Sequence, residues 1–320
     1  MNASLLAKKE VKMKIAYVIL SHKDSTQLKR VCEKLTKNTE NSVFIHLDKK
    51  TKFDPIHLQI SKLPNVYFVN PRYKIYWAGF NAIKATLDSF NYALNTDSYK
   101  RFVLMQCLDY PIKSNTYIND FFNQHSNTEF IKAVDETSTA DSINSRKYSM
   151  QWNFDHCRLI RGFLNKLNII LIEKLKLRKP KPLTITINNE ECHIYRGWAQ
   201  IALTRDCVEY ILETSKNNKK LLKYFKNTFA PDESFFHTII YNSSFANNVY
   251  KKPINREVEE MLNLTYFDYT TNIKVFESIE EFKQLDLTNY LFIRKIPSTS
   301  SVLLDYIDQI TDGKFTQQKH

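Results

Sequence analysis

Two adjacent carboxylates, Asp232 and Glu233, directly follow Pro231 and precede an apolar run. Proline fixes φ near the helical value and is well tolerated at the first position of a helix, so we expect a helix to begin here. Both carboxylates then lie in its first turn, where the helix dipole favours negative charge. Two interpretations of the pair follow. The carboxylates cap the helix, or one of them faces a cleft as a general base.

Other polar side chains stand where predicted buried strands end. Ser21 and His22 follow the first apolar run, Asp48 follows the second, and Asp109 follows a later one. Ligands of parallel α/β sheets bind outside the carboxyl ends of the strands. Asp48 is therefore well placed to bind a ribose or a base, with a simple turn-forming role as the alternative. His46 lies one residue inside its strand and is interpreted as a core histidine.

The segment Pro-Asp-Glu-Ser-Phe-Phe-His-Thr at residues 231–238 resembles a signature of the core-2/I-branching β-1,6-N-acetylglucosaminyltransferases and peptide O-xylosyltransferases (glycosyltransferase family 14), here of bacterial type. Four more segments match this superfamily in the right order, at residues 19–23, 45–50, 109–113 and 291–295. Together the matches cover most of the chain.

The resemblance implies a GT-A fold and transfer of a sugar from a UDP-sugar, with inversion at the anomeric carbon, to a hydroxyl of a glycan or lipid-linked glycan acceptor. It implies that Glu233 is the general base, while Asp232 caps the helix or orients its neighbours. GlcNAc and xylose are both used in the superfamily, so the donor sugar stays open between them. A soluble chain without an anchor fits assembly of a surface polysaccharide in the cytoplasm, and we expect that role from this context.

The resemblance also implies that the donor diphosphate is held without a metal, because the chain has no Asp-x-Asp motif. Arg294 and Lys295 match the family's diphosphate-binding cations, and Lys274 is a weaker candidate. A surface position after a strand is the alternative for the first two. With Ser21, His22 and Asp48 these residues form the predicted donor nucleotide site, and we expect neither a cofactor nor a metal ion.

The sugar and acceptor are expected near four further residues. Trp77 lies in a segment similar to a tryptophan-containing one near the donor sugar, with a core position as its alternative. Gly197 and Trp198 lie in a segment that resembles an acceptor-side motif, but Arg196 and its neighbours replace the usual Gly-Ser start. Acceptor contacts therefore cannot be transferred unchanged. Asp109 completes the set.

The hydrophobic pattern predicts buried strands at residues 14–21, 43–47, 66–69 and 101–107, helices at 24–35, 81–94 and 206–215, and a hairpin at 184–195. Nearer the C-terminus it predicts strands at 274–276 and 292–295 and helices at 280–285 and 301–310. Strand, helix, strand at this spacing indicates an α/β fold with a Rossmann-like mixed sheet flanked by helices. We interpret residues 13–320 as one GT-A-like domain after a disordered leader at residues 1–12.

Composition limits the alternatives. Only four glycines occur among 320 residues, which argues against glycine-rich phosphate loops. The five cysteines have no CxxC spacing, so we expect reduced, mostly buried thiols rather than a zinc site or a disulfide framework. The net charge of +12 suits a phosphorylated substrate, an anionic membrane or nucleic acid. No RRM, KH or helix-turn-helix signature accompanies it, and we expect no nucleic-acid partner.

The most basic stretch, residues 158–182, is interpreted as an amphipathic helix with a solvated basic face, or as a helix that lies on an anionic membrane. The sequence shows no signal peptide and no apolar run long enough to span a bilayer. We therefore expect a cytoplasmic protein, at the inner face of the membrane if the basic helix binds lipid. The competing function is a degenerate protein that only binds UDP or sugars; a basic RNA-binding protein is the more distant alternative.

Overall fold

The computed structural model describes residues 13–138, 148–152, 155, 179–253, 257–269 and 272–313. Two of the sequence-based expectations lie wholly or mainly outside the described residues. They are the disordered leader at residues 1–12 and the basic helix at residues 158–182, of which only the last four residues are described.

The described strands are β1 (Ile15–Ser21), β2 (Ser42–Leu47), β3 (Val66–Phe68), β4 (Arg101–Gln106), β5 (Asp109–Pro111), β6 (Val134–Asp135), β7 (Thr184–Ile187), β8 (Glu190–His193), β9 (Tyr195–Arg196), β10 (Ala202–Thr204), β11 (Thr265–Tyr266) and β12 (Phe292–Arg294). The described α-helices are α1 (Ser25–Thr36), α2 (Pro55–Ile60), α3 (Asn81–Leu94), α4 (Asn115–Gln124), α5 (Arg205–Asn217), α6 (Lys219–Lys226), α7 (Phe235–Tyr241), α8 (Val258–Met261), α9 (Ile279–Lys283) and α10 (Ser301–Thr311). Two 3-10 helices cover Pro231–Glu233 and Ser244–Asn248.

The main sheet has five described strands in the order β10-β4-β1-β2-β3. The four strands β1 to β4 pair in parallel, and β10 adds an antiparallel edge. Helices α1, α2 and α3 follow the first three strands, as expected for parallel strands that need crossover connections. The predicted mixed α/β architecture is therefore confirmed.

The sheet is buried on both faces because side chains alternate along each strand. In β1, Tyr17 and Ile19 join the hydrophobic cluster that contains the buried face of α1. Ala16 and Val18 face the opposite cluster, which holds α3 and α7. This explains why the strand reads as a continuous apolar run in the sequence. Helix α1 begins as predicted, since the Asp24 side chain accepts a hydrogen bond from the Gln27 N–H.

A second sheet carries the C-terminal part of the chain to the ends of the main strands. Its order is β11-β12-β5, and β12 runs antiparallel to β5 with Arg294 opposite Asp109. Strand β5 begins three residues after β4 ends, so this pairing brings the late Arg-Lys segment to the carboxyl end of β4.

The hairpin at residues 184–195 is confirmed as β7 and β8, joined by Asn188 and Asn189. Both asparagines have positive φ, 51° and 68°, as a tight two-residue hairpin turn requires. The end of the predicted second strand differs, because β8 stops at His193 and Tyr195 pairs with β6 instead.

Two local predictions are wrong. Residues 274–276 do not form a regular strand, although the Phe276 N–H donates to the Lys295 carbonyl over 2.9 Å. Together with the hydrogen bond from the Lys295 N–H to the Lys274 carbonyl, this contact surrounds a single residue and does not extend into a ladder. Pro231 does not begin an α-helix either: it begins the 3-10 helix, and α7 starts separately at Phe235.

Four of the five cysteines, Cys32, Cys107, Cys192 and Cys207, are described, and each is a buried free thiol. The sequence-based expectation is confirmed for these four, and Cys157 lies outside the described residues. Within the described ranges, none of the helices combines the length and apolar character needed to cross a membrane.

Candidate active site

The Pro-Asp-Glu segment forms a tight turn in front of a buried helix. Ala230 has a left-handed backbone conformation with φ of 41°, and the 3-10 helix Pro231–Glu233 follows it. The Glu233 N–H donates to the Ala230 carbonyl over 3.0 Å. Behind the turn, α7 is buried at every residue from Phe235 to Ile240. The protein interior therefore fixes the base of the turn.

Gly197 holds the same turn from the other side. Its N–H donates to the Glu233 carbonyl over 2.8 Å. A β-carbon on Gly197 would lie 1.9 Å from the Lys132 carbonyl oxygen and 2.6 Å from Nε2 of His237, so only glycine fits. Nε2 of His237 also lies 3.2 Å from the Trp198 carbonyl oxygen. Gly197, predicted near the acceptor, is thus a buried residue that positions the Glu233 backbone.

Arg294 is held by two partners at the end of β4. Its Nη1 donates to Oδ1 of Asp109 over 2.8 Å, and its Nη2 donates to the Gln106 side-chain oxygen over 2.5 Å. Oδ2 of Asp109 accepts from the Gln106 N–H over 2.8 Å. Asp109 has no exposed surface, and Arg294 is 9% exposed. The structure therefore pairs Asp109 with the predicted donor-binding arginine and corrects the alternative of a surface arginine.

The positive charges of Lys23, Arg294 and Lys295 act on one another. Burial lowers the pKa of Lys295, and the positive charges of Arg294 and Lys23 lower it further. Burial also lowers the pKa of His22, and the charge of Lys23 acts in the same direction, while Asp48 opposes it. We call Lys23, Arg294 and Lys295 the cationic cluster. Clustered cations at the ends of strands suit a multiply charged anion, such as a diphosphate.

Asp232 connects the Pro-Asp-Glu turn with this cluster. Burial raises the pKa of Asp232, whereas backbone N–H groups and the positive charge of Arg294 act in the opposite direction. Charge interactions weaken with distance, so this effect requires Asp232 and Arg294 to lie near each other. The charge of Arg294 therefore acts on the turn that carries Asp232 and Glu233.

Ser21 and Asp48 lie side by side at the ends of β1 and β2. The Asp48 N–H donates to the Ser21 carbonyl over 2.8 Å. Asp48 is 2% exposed; its Oδ1 accepts from the Lys50 N–H over 2.8 Å, and its Oδ2 lies 3.2 Å from Nζ of Lys50. The Ser21 hydroxyl is buried without a hydrogen-bond partner among the described residues. The turn-forming role of Asp48 is thus observed, and ribose binding stays a prediction.

Two histidines at this edge have different surroundings. Nδ1 of His22 lies 3.6 Å from the Cys107 thiol, and the imidazole is at the surface of the site. His46 is fully buried, and its Nε2 accepts a hydrogen bond from the Tyr73 N–H over 2.9 Å. The interpretation of His46 as a core histidine is confirmed.

The two predicted tryptophans pack against different aromatic side chains. Trp77 is 68% exposed and packs edge-on against Phe229, with ring centroids 5.4 Å apart, so the core alternative for Trp77 is wrong. Trp198 packs against Phe267 and Tyr269, at 4.9 and 5.7 Å between centroids. The Trp198 indole N–H is buried without a partner among the described residues.

Lys274 does not share the contacts of the cationic cluster in the described structure. Its ammonium group pairs with Glu281 over 3.4 Å, and both side chains are largely exposed. Only its backbone contacts the cluster, since the Lys274 carbonyl accepts from the Lys295 N–H over 3.3 Å. A donor-binding role for the Lys274 side chain stays a prediction.

Sequence reasoning missed several residues around the site. Lys23 follows β1 beside Ser21 and His22, so its place at the end of a strand is the sequence signal that identifies it. Arg196 and Glu136 form a buried ion pair between positions 60 residues apart, with Nε and Oε1 2.8 Å apart. Tyr148 is fully buried; burial raises its pKa most, the charge of Glu233 raises it further, and the charge of Arg196 lowers it. No local sequence pattern predicts these long-range contacts.

In the part of the chain that the structure describes, no group of three or more His, Cys, Asp or Glu side chains is arranged to hold a metal ion. Metal independence stays a prediction that experiment has to test.

Comparison with known proteins gives a family match over most of the chain. A family model described as "Core-2/I-Branching enzyme" matches residues 15–272. A human beta-1,3-galactosyl-O-glycosyl-glycoprotein beta-1,6-N-acetylglucosaminyltransferase 3 is 24% identical over 242 residues, which are 73% of this chain and 49% of that protein. A human N-acetyllactosaminide beta-1,6-N-acetylglucosaminyl-transferase is 24% identical over 238 residues, 73% of this chain and 54% of that protein.

Xylosyltransferase 2 of Rattus norvegicus is 25% identical over 239 residues, 72% of this chain and 25% of that protein. The chain thus spans about half the length of the first two relatives, and a quarter of the third.

Proposed function

This chain belongs to the Core-2/I-Branching enzyme family, and we propose that it is a glycosyltransferase. It transfers GlcNAc or xylose from a UDP-sugar to a hydroxyl of a glycan acceptor, with inversion, without a metal and on a GT-A fold. The observation that carries the proposal is the Arg294 guanidinium, which Asp109 fixes at the carboxyl end of β4 and whose charge acts on Asp232 of the Pro-Asp-Glu turn. Glu233, the candidate base, is the next residue of that turn.

In the proposed reaction the acceptor oxygen attacks the anomeric carbon from the face opposite UDP. The bond between this carbon and the acceptor oxygen forms while the bond to the diphosphate oxygen breaks. The acceptor hydroxyl gives its proton to Glu233, and UDP leaves with the bonding electron pair. General-base catalysis of this kind contributes roughly 10²–10⁴-fold in rate. Asp232, next to the base, orients the turn.

The leaving diphosphate gains negative charge as the bond breaks, and preorganised cations stabilise such charge. Arg294 suits this task because Asp109 and Gln106 already fix its guanidinium. Lys295 supplies a second charge; burial and the positive charges of Arg294 and Lys23 lower its pKa, and a bound anion would offset the effect of those charges. Donor binding would involve the strand-end residues Ser21, His22 and Asp48.

The acceptor side of the proposal rests on the neighbours of Glu233. Gly197 lies against the Glu233 backbone, and Trp198 follows it with an unused indole donor among the described residues. Aromatic rings with a polar edge suit sugars, which present both apolar faces and hydroxyls. Exposed Trp77 lies against Phe229, two residues before Pro231, and could contact the donor or acceptor sugar.

The decisive experiment measures UDP release from UDP-GlcNAc, UDP-xylose and other UDP-sugars, with EDTA and with Mn²⁺. We expect one preferred donor and no loss with EDTA. Glu233→Gln should lose transfer to an acceptor glycoside by roughly 10²–10⁴-fold and still bind UDP. Glu213→Gln, an exposed glutamate on α5, is the matched control and should behave like wild type.

Wild-type transfer by Glu233→Gln would contradict the base assignment, and loss of activity with EDTA would contradict metal independence. UDP binding by calorimetry without release from any donor or with any acceptor would favour the degenerate, sugar-binding alternative. Salt-dependent RNA binding without UDP affinity would favour the nucleic-acid alternative.

The proposal extends to a cytoplasmic protein that builds surface polysaccharide at the inner face of the membrane, on a lipid-linked acceptor. Its support is the basic composition of residues 158–182. Flotation with anionic vesicles tests it, and absence of binding by the full chain would contradict the membrane contact.

A further inference from the structure

Helix α6 carries a row of lysines on the face that points away from the protein core. Lys219, Lys223 and Lys226 follow one another at spacings of four and three residues, so they share one side of the helix. Leu221 and Phe225 are fully buried on the other side. They join the hydrophobic cluster that also contains the buried side chains of β7. The core therefore fixes the direction in which the lysines point.

Two more lysines extend this row. Lys220 lies in the same helix, and Lys216 lies in the last turn of α5. All five side chains are exposed, and within the described ranges none of their ammonium groups pairs with a carboxylate or lies over an aromatic ring. No acidic residue occurs between Thr214 and Pro231. We call the five residues the lysine stripe: Lys216, Lys219, Lys220, Lys223 and Lys226.

The lysine stripe is unfavourable for the helix that carries it. The first turn of α6 holds lysines and no acid, although the positive end of the helix dipole lies there. Like charges three or four residues apart also destabilise a helix. The helix forms because the Asn218 side chain caps it, accepting from the Leu221 N–H over 2.9 Å, and because its apolar side is buried. Departures from local helix rules at an exposed surface are typical of functional sites.

The lysine stripe ends close to the Pro-Asp-Glu turn. The chain from Lys226 to Pro231 spans at most ~19 Å, since consecutive Cα atoms are ~3.8 Å apart. This connection is fixed, because the Asn227 carbonyl accepts from the Trp152 N–H over 2.9 Å and Thr228 is buried. A chain molecule that binds along the stripe can therefore reach the turn.

The surroundings of the lysine stripe favour one kind of polyanion. A helix that lies on a membrane inserts its apolar side into the bilayer, but α6 buries its apolar side in the protein core. Proteins that bind single-stranded nucleic acid stack bases on aromatic side chains, and α6 carries no exposed aromatic side chain. Lysine ammonium groups are flexible point charges with three donors each, which suits carboxylate or phosphate groups spaced along a glycan.

We propose that the lysine stripe binds the charged part of an anionic glycan, a chain with carboxylate or phosphate groups, whose end reaches the Pro-Asp-Glu turn as the acceptor. This inference rests on the proposed function, because it names the class of acceptor for the same site. The stripe lies outside the cationic cluster and leaves the donor side unchanged. Lys219 and Lys226 are ~10 Å apart along the helix axis, so more than one charged group can bind at once.

The test measures binding of an oligogalacturonate, a chain of uronic acids, to the full protein chain by calorimetry. Its methyl ester is the matched ligand, because it has the same sugar chain without the charges. We expect the oligogalacturonate to bind with an affinity that falls as the salt concentration rises. The methyl ester should bind about tenfold more weakly or less. Equal binding of the two ligands would overturn the inference.

Replacement of three stripe lysines by glutamine, at Lys219, Lys223 and Lys226, should weaken oligogalacturonate binding about tenfold, because each exposed charge pair contributes a factor of roughly 1.4–5. The matched control replaces three exposed lysines elsewhere and changes the net charge equally: Lys62, Lys100 and Lys252. It should bind nearly as wild type.

Equal losses in the two triple variants would show that only net charge matters and would overturn the inference. If the stripe variant does not fold, Lys223→Glu in the middle of the stripe decides, with Lys62→Glu as its control.

Two other polyanions, anionic phospholipid vesicles and oligouridylate, are tested with the same variants. If either binds through the lysine stripe and the oligogalacturonate does not, the partner is a membrane or a nucleic acid and the inference is wrong. Equal binding of all three would mark a nonspecific cationic surface and would contradict it as well.

UDP binding and turnover separate this inference from the proposed function. The stripe variant should bind UDP as wild type does, because the donor side is untouched. In transfer from UDP-GlcNAc or UDP-xylose to an acidic glycan, it should raise the KM for the glycan and leave kcat unchanged. An unchanged KM would refute the acceptor role of the stripe. Absence of transfer with any donor would refute the proposed function, whereas binding of oligogalacturonate through the stripe would still be measured without turnover.

Discussion

Oδ1 of Asp109 lies 2.8 Å from Nη1 of Arg294, and the two residues are separated by 185 positions in the sequence. Asp109 is completely buried, and the Arg294 side chain is 11% exposed. The pair joins the first half of the chain to its C-terminal part at the edge where the parallel strands end. Removal of either partner leaves the other charge in a site with little water.

We therefore expect Asp109→Asn to destabilise the fold by about 3–5 kcal/mol, the range for breaking one side of a buried ion pair. Urea unfolding measures the change. The double variant Asp109→Asn, Arg294→Met should lose less than the sum of the single variants, because it leaves no unpaired charge. The partly exposed pair of Arg205 and Glu209 is the control and should contribute only about 0.2–1 kcal/mol. Strict additivity of the Asp109 and Arg294 effects would contradict the coupling.

Lys295 should make UDP binding depend on pH. Its pKa is lowered from 10.5 by burial and by the charges of Arg294 and Lys23, and a bound diphosphate would raise it again. Affinity is then complete while Lys295 is protonated and falls as the pH rises through its lowered pKa. Calorimetry between pH 7 and 10 measures this, and Lys295→Gln should bind UDP more weakly and with less pH dependence. Equal pH dependence in both proteins would exclude Lys295 as the titrating group.

Gly197→Ala should disturb the Glu233 turn. The new methyl group meets the Lys132 carbonyl and His237, so either must move, at a cost of about 1–3 kcal/mol in the free energy of unfolding. Because the Gly197 N–H holds the Glu233 carbonyl, transfer per folded molecule should fall as well. Gly313→Ala, at a position with no atom near the added methyl group, is the control for activity. Full activity of folded Gly197→Ala would show that transfer does not depend on the hydrogen bond between the Gly197 N–H and the Glu233 carbonyl.

Lys181 should make stability rise with pH. Burial lowers its pKa to about 7, while the unfolded chain keeps the ordinary value of 10.5, so above pH 7 the unfolded state binds the extra proton. The free energy of unfolding should then increase by up to ~1.4 kcal/mol per pH unit between pH 7 and 9. Lys181→Met should remove this increase, and Lys179→Met, at an exposed neighbour, should retain it. If the free energy of unfolding rises with pH equally steeply in Lys181→Met, then a group other than Lys181 causes the rise.

Much of the fold could be predicted because its elements carry local signals. The strand β1 is an unbroken apolar run, α1 has a capping aspartate and a helical stripe, and the Asn188-Asn189 pair marks its hairpin turn. The segment at residues 274–276 has an apolar pattern too, but a strand also needs a partner along its length. Its backbone bonds to Asp268 and Lys295 only at single residues, and no periodicity in the sequence shows that a continuous partner strand is missing.

The sequence predicts those parts of the candidate site that lie within one segment, but not those that form where distant segments come into contact. Four residues can be identified from their residue types and from the order of their motifs along the chain: Asp232, Glu233, Arg294 and Lys295. The 3-10 geometry at Pro231 was not foreseeable, because it depends on the left-handed Ala230 and on the tether from Gly197. The pair of Arg196 and Glu136 likewise exists only because β6 and β9 align.

The long separation between Asp109 and Arg294 has a consequence for biosynthesis. A ribosome adds roughly 5–20 residues per second, so the 185 residues between them take on the order of 10–40 s to make. During that interval the nascent chain already carries the carboxylate and the first four parallel strands but not the arginine that neutralises it. The edge where we propose that the donor binds is thus completed last, and a chain that ends before residue 294 lacks the arginine that neutralises Asp109.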